Sequence, residues 1–262
     1  GEPTLPARID TERAINPFLR SREPAVTQAV RARTPSADDE VAVFAALRVR
    51  QTARGTQHIP DTGGAVIAMT HFGYLEFALV ECATWMHNKR RIRFMAKQSV
   101  FEKPVVGWFM RSMRHIPVNM KAGADAFAAA ATALRGGELI GVFPEAGVSG
   151  SFTIRDFKTG AVRLAAQAEV PVIPVAVWGG HRLLTKNRKI TLKERLNIPV
   201  HFSFGEPIHV SPDEDPAVAT AKLKSTMEAL LSELQSSYRE DGTGKWWQPR
   251  VLGGTAPKPE ED

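Results

Sequence analysis

Four short apolar runs, AVIAMT (65–70), IRFMA (92–96), ELIGVF (138–143) and VPVIPVAV (170–177), are separated by longer segments of helical character. Runs this short, rich in β-branched residues and bounded by turn formers, fit buried strands better than helices. The segments between them, 74–87, 105–113, 123–135 and 159–169, have helical patterning. GADAFAAAATALR in particular is alanine-rich and stops at Gly136-Gly137. Strand and helix in alternation imply a mixed, largely parallel sheet covered by helices, an α/β fold. HIPV (115–118), KITL (189–192) and VHFSF (200–204) are read as further strands, and 217–240 as a long amphipathic helix. The two prolines of VPVIPVAV imply a gap in the hydrogen-bond ladder.

The segment 36–53 opens on a Ser-x-x-Asp capping pattern and is expected to be helical. Three regions follow: an N-terminal arm and helix (1–53), one folded domain (54–251), and a Gly/Pro/acidic tail (252–262) expected to be disordered. With 262 residues, 43% of them apolar, the chain can bury a substantial core. A single cysteine, Cys82, excludes an internal disulfide framework. No run approaches the roughly 20 apolar residues of a membrane span, and the first residues lack the apolar stretch of a signal peptide.

In open α/β sheets, ligands gather in loops at strand ends. The unusual residues of this chain lie there: His71 after AVIAMT, Glu145 after ELIGVF, and Gly179-Gly180 after VPVIPVAV. In THFGYLE (70–76), His71 and Glu76 are five apart, about 140° around a regular helix, so they do not share a helical face. They can meet only if His71 precedes the helix and Glu76 reaches back from its first turn, with Gly73 supplying backbone freedom. Such a pair can deprotonate an alcohol. The alternative is a histidine bonded to local backbone and a glutamate favouring a helix N-terminus. In GVFPEAGVSGSF (141–152), a strand stops at a proline and is followed by Glu145, Gly147, Ser149 and Gly150. Small residues allow close backbone approach, and backbone N–H groups can grip an anion. Lys158, in FKTG, stands just ahead of a helix start, where phosphate is favoured. The seven histidines show no i, i+4 metal pairing, and no G-x-S-x-G motif is present.

In order, these pieces resemble the 1-acylglycerol-3-phosphate O-acyltransferase (lysophosphatidate acyltransferase) family and its glycerol-3-phosphate acyltransferase relatives. The family's Asn-His-four residues-Asp block appears as THFGYLE, its strand ending in Asp-Arg as GWFMRSMRHIPVNM, its FPEGTRS as FPEAGVS, its FKTG unchanged, and its VPIIPV as VPVIPVAV. The match runs from about residue 54 to about residue 208. It implies transfer of a fatty acyl group from acyl-CoA or acyl carrier protein to a hydroxyl of a glycerolipid or lysophospholipid. His71 would be the general base and Glu76 the acid that orients it. Lys97, Asn119, Lys121, Glu145, Gly147, Ser149 and Lys158 would bind substrate. No metal, cofactor or covalent acyl-enzyme is implied.

The chain also departs from the pattern. The first-block acid is Glu rather than Asp, Asn119-Met120 stands where the family has Asp-Arg, and Val148 stands where it has an arginine. Losing two bidentate phosphate ligands points to an acceptor larger or less charged than lysophosphatidate. The same departures leave room for a weakly active or inactive acyl-lipid-binding relative. The net charge of +6 suggests an anionic partner. No nucleic-acid signature is present. With lipid substrates, the expected partner is an anionic membrane surface, met peripherally on its cytoplasmic face. The candidate contacts are VVGWFMRSM (Val105, Val106, Trp108, Phe109, Met110, Met113), the N-terminal arm, and Trp246-Trp247.

Overall fold

The structure, a computed structural model, describes residues 50–119, 123–195 and 197–261. Contacts divide the chain into two units. The larger, Thr52–Arg188 with Val200–Asp262, carries the sheet.

The strands are β1 (Arg50–Arg54), β2 (Ala65–Met69), β3 (Ile92–Lys97), β4 (Ile116–Val118), β5 (Leu139–Val142), β6 (Val172–Trp178) and β7 (Pro199–Phe204). They form one seven-stranded sheet in the order β1-β7-β6-β2-β5-β3-β4. The pairs β6/β2, β2/β5, β5/β3 and β3/β4 are parallel, and β6/β7 is antiparallel. The helices are α1 (Glu76–Asn88), α2 (Gln98–Phe101), α3 (Pro104–Ser112), α4 (Gly123–Arg135), α5 (Gly160–Ala168), α6 (Leu192–Arg195) and α7 (Pro216–Ser236). This is the expected mixed, largely parallel α/β fold.

β2 and β6 are buried at every position, as strands covered on both faces must be. Val66, Ala68 and Ile140 pack against Ala130, Ala131 and Leu134 of α4, Val162 and Ala165 of α5, and Leu223 and Met227 of α7. A second cluster joins Phe72, Trp178, Leu231, Leu234 and Trp247. Pro174 stands in a central strand, yet breaks nothing. The β6/β7 ladder begins one residue later, at Val175 opposite Phe204. Where it ends, the Pro174 carbonyl accepts the Gly205 N–H at 2.8 Å. The N–H that proline lacks would have pointed past the end of the β7 ladder.

Three expectations need correction. Residues 50–53 were read as the end of a helix but form most of β1, while 36–49 lie outside the described residues. KITL is not a strand. In the smaller unit, Thr191 N–H and Oγ1 donate to Glu194 Oε2 at 2.8 and 2.6 Å. That is a capping box opening the short helix α6, and the TLKE signal for it is in the sequence. The tail is not loose at its start. Ala256 is fully buried, its N–H donates to Gln248 O, and its own carbonyl accepts Arg250 Nε. Gly254 and Thr255 are also bonded back, to Pro249 O and Lys245 O. Composition did not register how many backbone partners the preceding turn offers.

Candidate functional site

β6, β2 and β5 are adjacent and parallel, so the loops after them emerge side by side on one edge. Those three loops are bonded into one body. Thr70 extends the end of β2: its N–H donates to Val175 O, and its hydroxyl accepts Val177 N–H. The chain then turns at His71. The His71 N–H donates to Glu145 Oε1 at 3.1 Å, and Ser149 N–H donates to His71 O at 2.8 Å. The loops after β2 and β5 are thus joined on both sides of one residue. On the other flank, Thr185 Oγ1 donates to Phe72 O at 2.7 Å and Tyr74 N–H donates to Leu184 O at 2.9 Å. Gly73 is required here. A Cβ would lie 2.8 Å from His181 Cα and 3.0 Å from Leu184 O, so a side chain would push the β2 and β6 loops apart.

The His71 ring stacks on Phe143, with centroids 3.9 Å apart, and Phe143 stacks in turn on Phe94. His71 Nδ1 is buried and makes no hydrogen bond. Burial, and then the Arg155 cation, hold the imidazole down to a pKa of about 4, with the Gly73 backbone pulling the other way. At neutral pH the ring is an unprotonated base.

Glu76 opens α1 and is fully buried. Its Oε2 accepts the Phe72 N–H at 2.9 Å, while Oε1 has no partner. Burial raises the carboxyl well above the usual carboxylate range. The Gly73 and Phe72 backbone groups oppose this, and Glu145 adds to it. His71 precedes the helix and Glu76 stands at its start, the arrangement the spacing needs if the two are to meet. The contact made, however, is from Glu76 to the backbone one residue after His71. Gly180 makes room for this carboxyl, since a Cβ there would lie 2.6 Å from Glu76 Cγ.

Glu145 is engaged at both oxygens. Oε1 takes the His71 N–H, and Oε2 takes the Arg155 N–H at 3.0 Å. It ties the start of its own loop to both the turn at His71 and the end of the same loop. Ser149 is fully buried, and its hydroxyl donates to Thr153 O at 2.8 Å beside Ser151 Oγ at 3.0 Å, which makes it a loop-forming residue. Lys97 ends β3 and Asn119 follows β4, on the edge that carries His71. They stand two and three strands from β2, about 10 and 14 Å across the sheet at strand spacing. Lys158 is exposed, with its N–H on Pro144 O. Lys121 lies outside the described residues.

Arg155 went unnoticed in the sequence. Its guanidinium reaches back over the loop, so that a Cβ at Gly147 would stand 2.9 Å from Nη2, and its Nε is buried without a partner. The absence of a side chain at 147 is what admits it. A cation therefore stands beside His71 even though Val148 occupies the family's arginine position. The only signal was an arginine three residues ahead of the lysine in RDFK. Because a cation beside the imidazole disfavours its protonated form, Arg155→Met will raise the His71 pKa. Burial is the larger cause, so the value will stay below the ordinary 6.5. An NMR titration of the histidine ring protons reads this directly, and an unmoved His71 resonance would show that Arg155 does not act on the ring.

Residues 50–178 match the Acyltransferase family model. These residues belong to the lysophosphatidate and glycerolipid acyltransferase family. Among its relatives is the 1-acyl-sn-glycerol-3-phosphate acyltransferase of Bacillus subtilis, 27% identical over 201 residues, spanning 72% of this chain and 95% of the relative. The crystal structure of the 1-acyl-sn-glycerophosphate (LPA) acyltransferase of Thermotoga maritima shares the fold, with a TM-score of 0.62 at 20% identity, covering 88% of this chain and 94% of that one. Residues 1–53 match a different model, the hydroxyacylglutathione hydrolase C-terminus. Over 47 residues the chain is 64% identical to the hydroxyacylglutathione hydrolase of Albidiferax ferrireducens, and this stretch is only 18% of either chain. All but the first two residues of the acyltransferase match, and the sheet edge bearing His71, fall in the larger unit.

Proposed function

We propose that this acyltransferase moves a fatty acyl group from a thioester, acyl-CoA or acyl carrier protein, to a hydroxyl of a lysolipid acceptor, with His71 as general base. Support comes from one observation above all: a half-buried imidazole held unprotonated at the junction of three strand-end loops, with its Nδ1 buried and lacking a partner. As the acceptor oxygen attacks the thioester carbonyl, His71 takes its proton. The C–O bond forms, the C–S bond breaks, and the leaving thiolate recovers the proton from His71. A thioester is reactive enough for base and proximity to drive this step without a covalent enzyme intermediate.

Glu76 serves as a positioning residue. It holds Phe72 N–H, and the two atoms that a His–acid pair would join, His71 Nδ1 and Glu76 Oε1, are both buried and both unpartnered. Their closure in the substrate complex would fix the tautomer and leave Nε2 as the base. Arg155 supplies the acceptor side with a guanidinium, which suits a phosphate-bearing lysolipid of the kind named for the Bacillus relative. The larger-headgroup expectation from sequence rested on there being no such arginine.

The deciding measurement is thiol release from long-chain acyl-CoA and from acyl carrier protein across charged and uncharged lysolipids. Lysophosphatidate is expected to turn over faster than monoacylglycerol. Silence across the whole panel would overturn the reading in favour of an acyl-lipid binder. Glu76→Gln is expected to lose far more activity than Glu76→Asp. Full activity in both variants would remove Glu76 from the mechanism.

A further inference from the structure

Helix α1 is buried on one side and carries an apolar stripe on the other. Its inner side buries Glu76, Val80, Glu81, Ala83 and Thr84. Its outer side runs through Leu75, Ala78, Leu79, Cys82, Trp85 and Met86, a spacing of three and four residues that lines one face. A surface helix that ended its packing on the inner side would be polar here. Instead Leu75, Trp85 and Met86 are 38, 42 and 51% exposed, and Tyr74, just before the helix, is 45% exposed. These are four of the eight large exposed apolar side chains among the described residues. At the C-terminal end of the stripe, Lys89 Nζ lies 5.7 Å and Arg91 Cζ 5.3 Å from the centre of the Trp85 ring. Arg90 between them turns inward onto the carbonyls of Pro60, Gly63 and Gly137.

We propose that this outer face of α1, Tyr74 to Arg91, is the surface by which the protein lies on an anionic lipid bilayer. Charge complementarity argues for that occupant. Lys89 and Arg91 flank an exposed tryptophan, the arrangement that suits the boundary between headgroups and acyl chains. The acidic groups nearby are the buried Glu81, which faces Arg91, and the exposed Asp61, which takes the Asn88 amide. An isologous contact with a second copy would bring both pairs of cations into one interface with little acid to pair them. Position argues for it as well. The N-terminal end of this face adjoins the turn that carries His71, so an acceptor lying in the bilayer along the helix, about 20 Å long, arrives at the base.

The contacts expected from sequence fit less well. In α3, Gly107 and Met110 are buried, Trp108 is half-buried and Val106 is exposed, while the N-terminal arm through residue 49 lies outside the described residues. Trp247 is buried, and Trp246 lies under Arg188 at 4.2 Å. Among the described residues no helix is long and apolar enough to cross a membrane.

The inference deepens the acyl-transfer reading by naming where lipid is met, and its test does not use activity on lipid. Co-sedimentation of the full chain with phosphatidylcholine vesicles, with and without phosphatidylglycerol, is compared for wild type, Trp85→Ala/Met86→Ser, Lys89→Glu/Arg91→Glu and a control, Val218→Ser on α7. Wild type is expected to bind the anionic vesicles, less so at high salt. Both doubles are expected to lose at least about tenfold in partitioning, with the control unchanged. Thermal unfolding of each variant verifies that it is folded. Binding by the apolar double equal to wild type overturns the proposal, as does absence of binding by wild type. A double that loses self-association in sedimentation but keeps vesicle binding overturns it in favour of a second copy. Turnover of a water-soluble short-chain acceptor separates the two readings: retained in the doubles, it leaves the catalytic reading standing whatever the vesicles show.

Discussion

His71→Ala lowers acyl transfer by about 10²–10⁴-fold, the usual contribution of a general base, while the chain stays folded. The fold survives because residue 71 is bound into the site by its backbone. The N–H to Glu145 and the carbonyl from Ser149 both remain in the variant. What is lost is a ring stacked on Phe143, worth about 0.5–1.5 kcal/mol, offset in part because a buried, unpartnered Nδ1 goes with it. Two histidines that are buried make the contrast. His115 Nδ1 accepts the Phe94 N–H, and His181 bonds Trp247 O through Nε2 and stacks on Phe152. Replacing either should cost stability first and activity second. The measurement is single-turnover thiol release alongside thermal unfolding. More than about a tenth of the wild-type rate in a folded His71→Ala protein is incompatible with a base at this position.

Glu145→Gln is expected to damage stability and rate together. The carboxylate takes two backbone N–H groups, one on each side of the site, and an amide offers only one oxygen. Its NH₂ must then face an N–H donor in a setting that is nearly closed to water. Losing one charge-assisted bond and orphaning a donor costs about 2–4 kcal/mol, or a Tm lower by about 5–10 °C. The turn at His71 is released, and a displacement of about 1 Å there costs on the order of 10²-fold in rate. A residue that gripped the acceptor directly would behave differently: KM for the acceptor would rise and the Tm would hold. Unchanged Tm with a raised acceptor KM would therefore return Glu145 to the acceptor-binding role read from the sequence.

The alternation of short apolar runs and helical stretches was enough to specify the sheet and its parallel character, because burial on both faces leaves a composition signature that needs no partner to be read. Local signals also placed the candidate residues on one edge. His71, Glu145 and Gly179-Gly180 each follow a strand, and parallel strands send such loops to one edge. The five-residue spacing required His71 to precede the helix if it was to meet Glu76, and His71 does precede it. Elsewhere local pattern misled: KITL had strand composition, yet its Thr191–Glu194 pair caps a helix. The tail had a loose composition, yet Ala256 is buried.

What each polar atom at the site does was decided only in three dimensions. Ser149 spends its hydroxyl within its own loop, Glu145 spends both oxygens on backbone, and Glu76 bonds Phe72 N–H. Arg155 arrives beside His71 because Gly147 leaves room for it. Hydrogen-bond partners and close approaches join residues far apart in the chain, as Phe72 joins Thr185, and no periodicity records them. The exposed stripe of α1 is of the same kind. Its apolar residues are plain in the sequence, but which side of the helix meets the protein, and which is left for something else, depends on where the sheet lies.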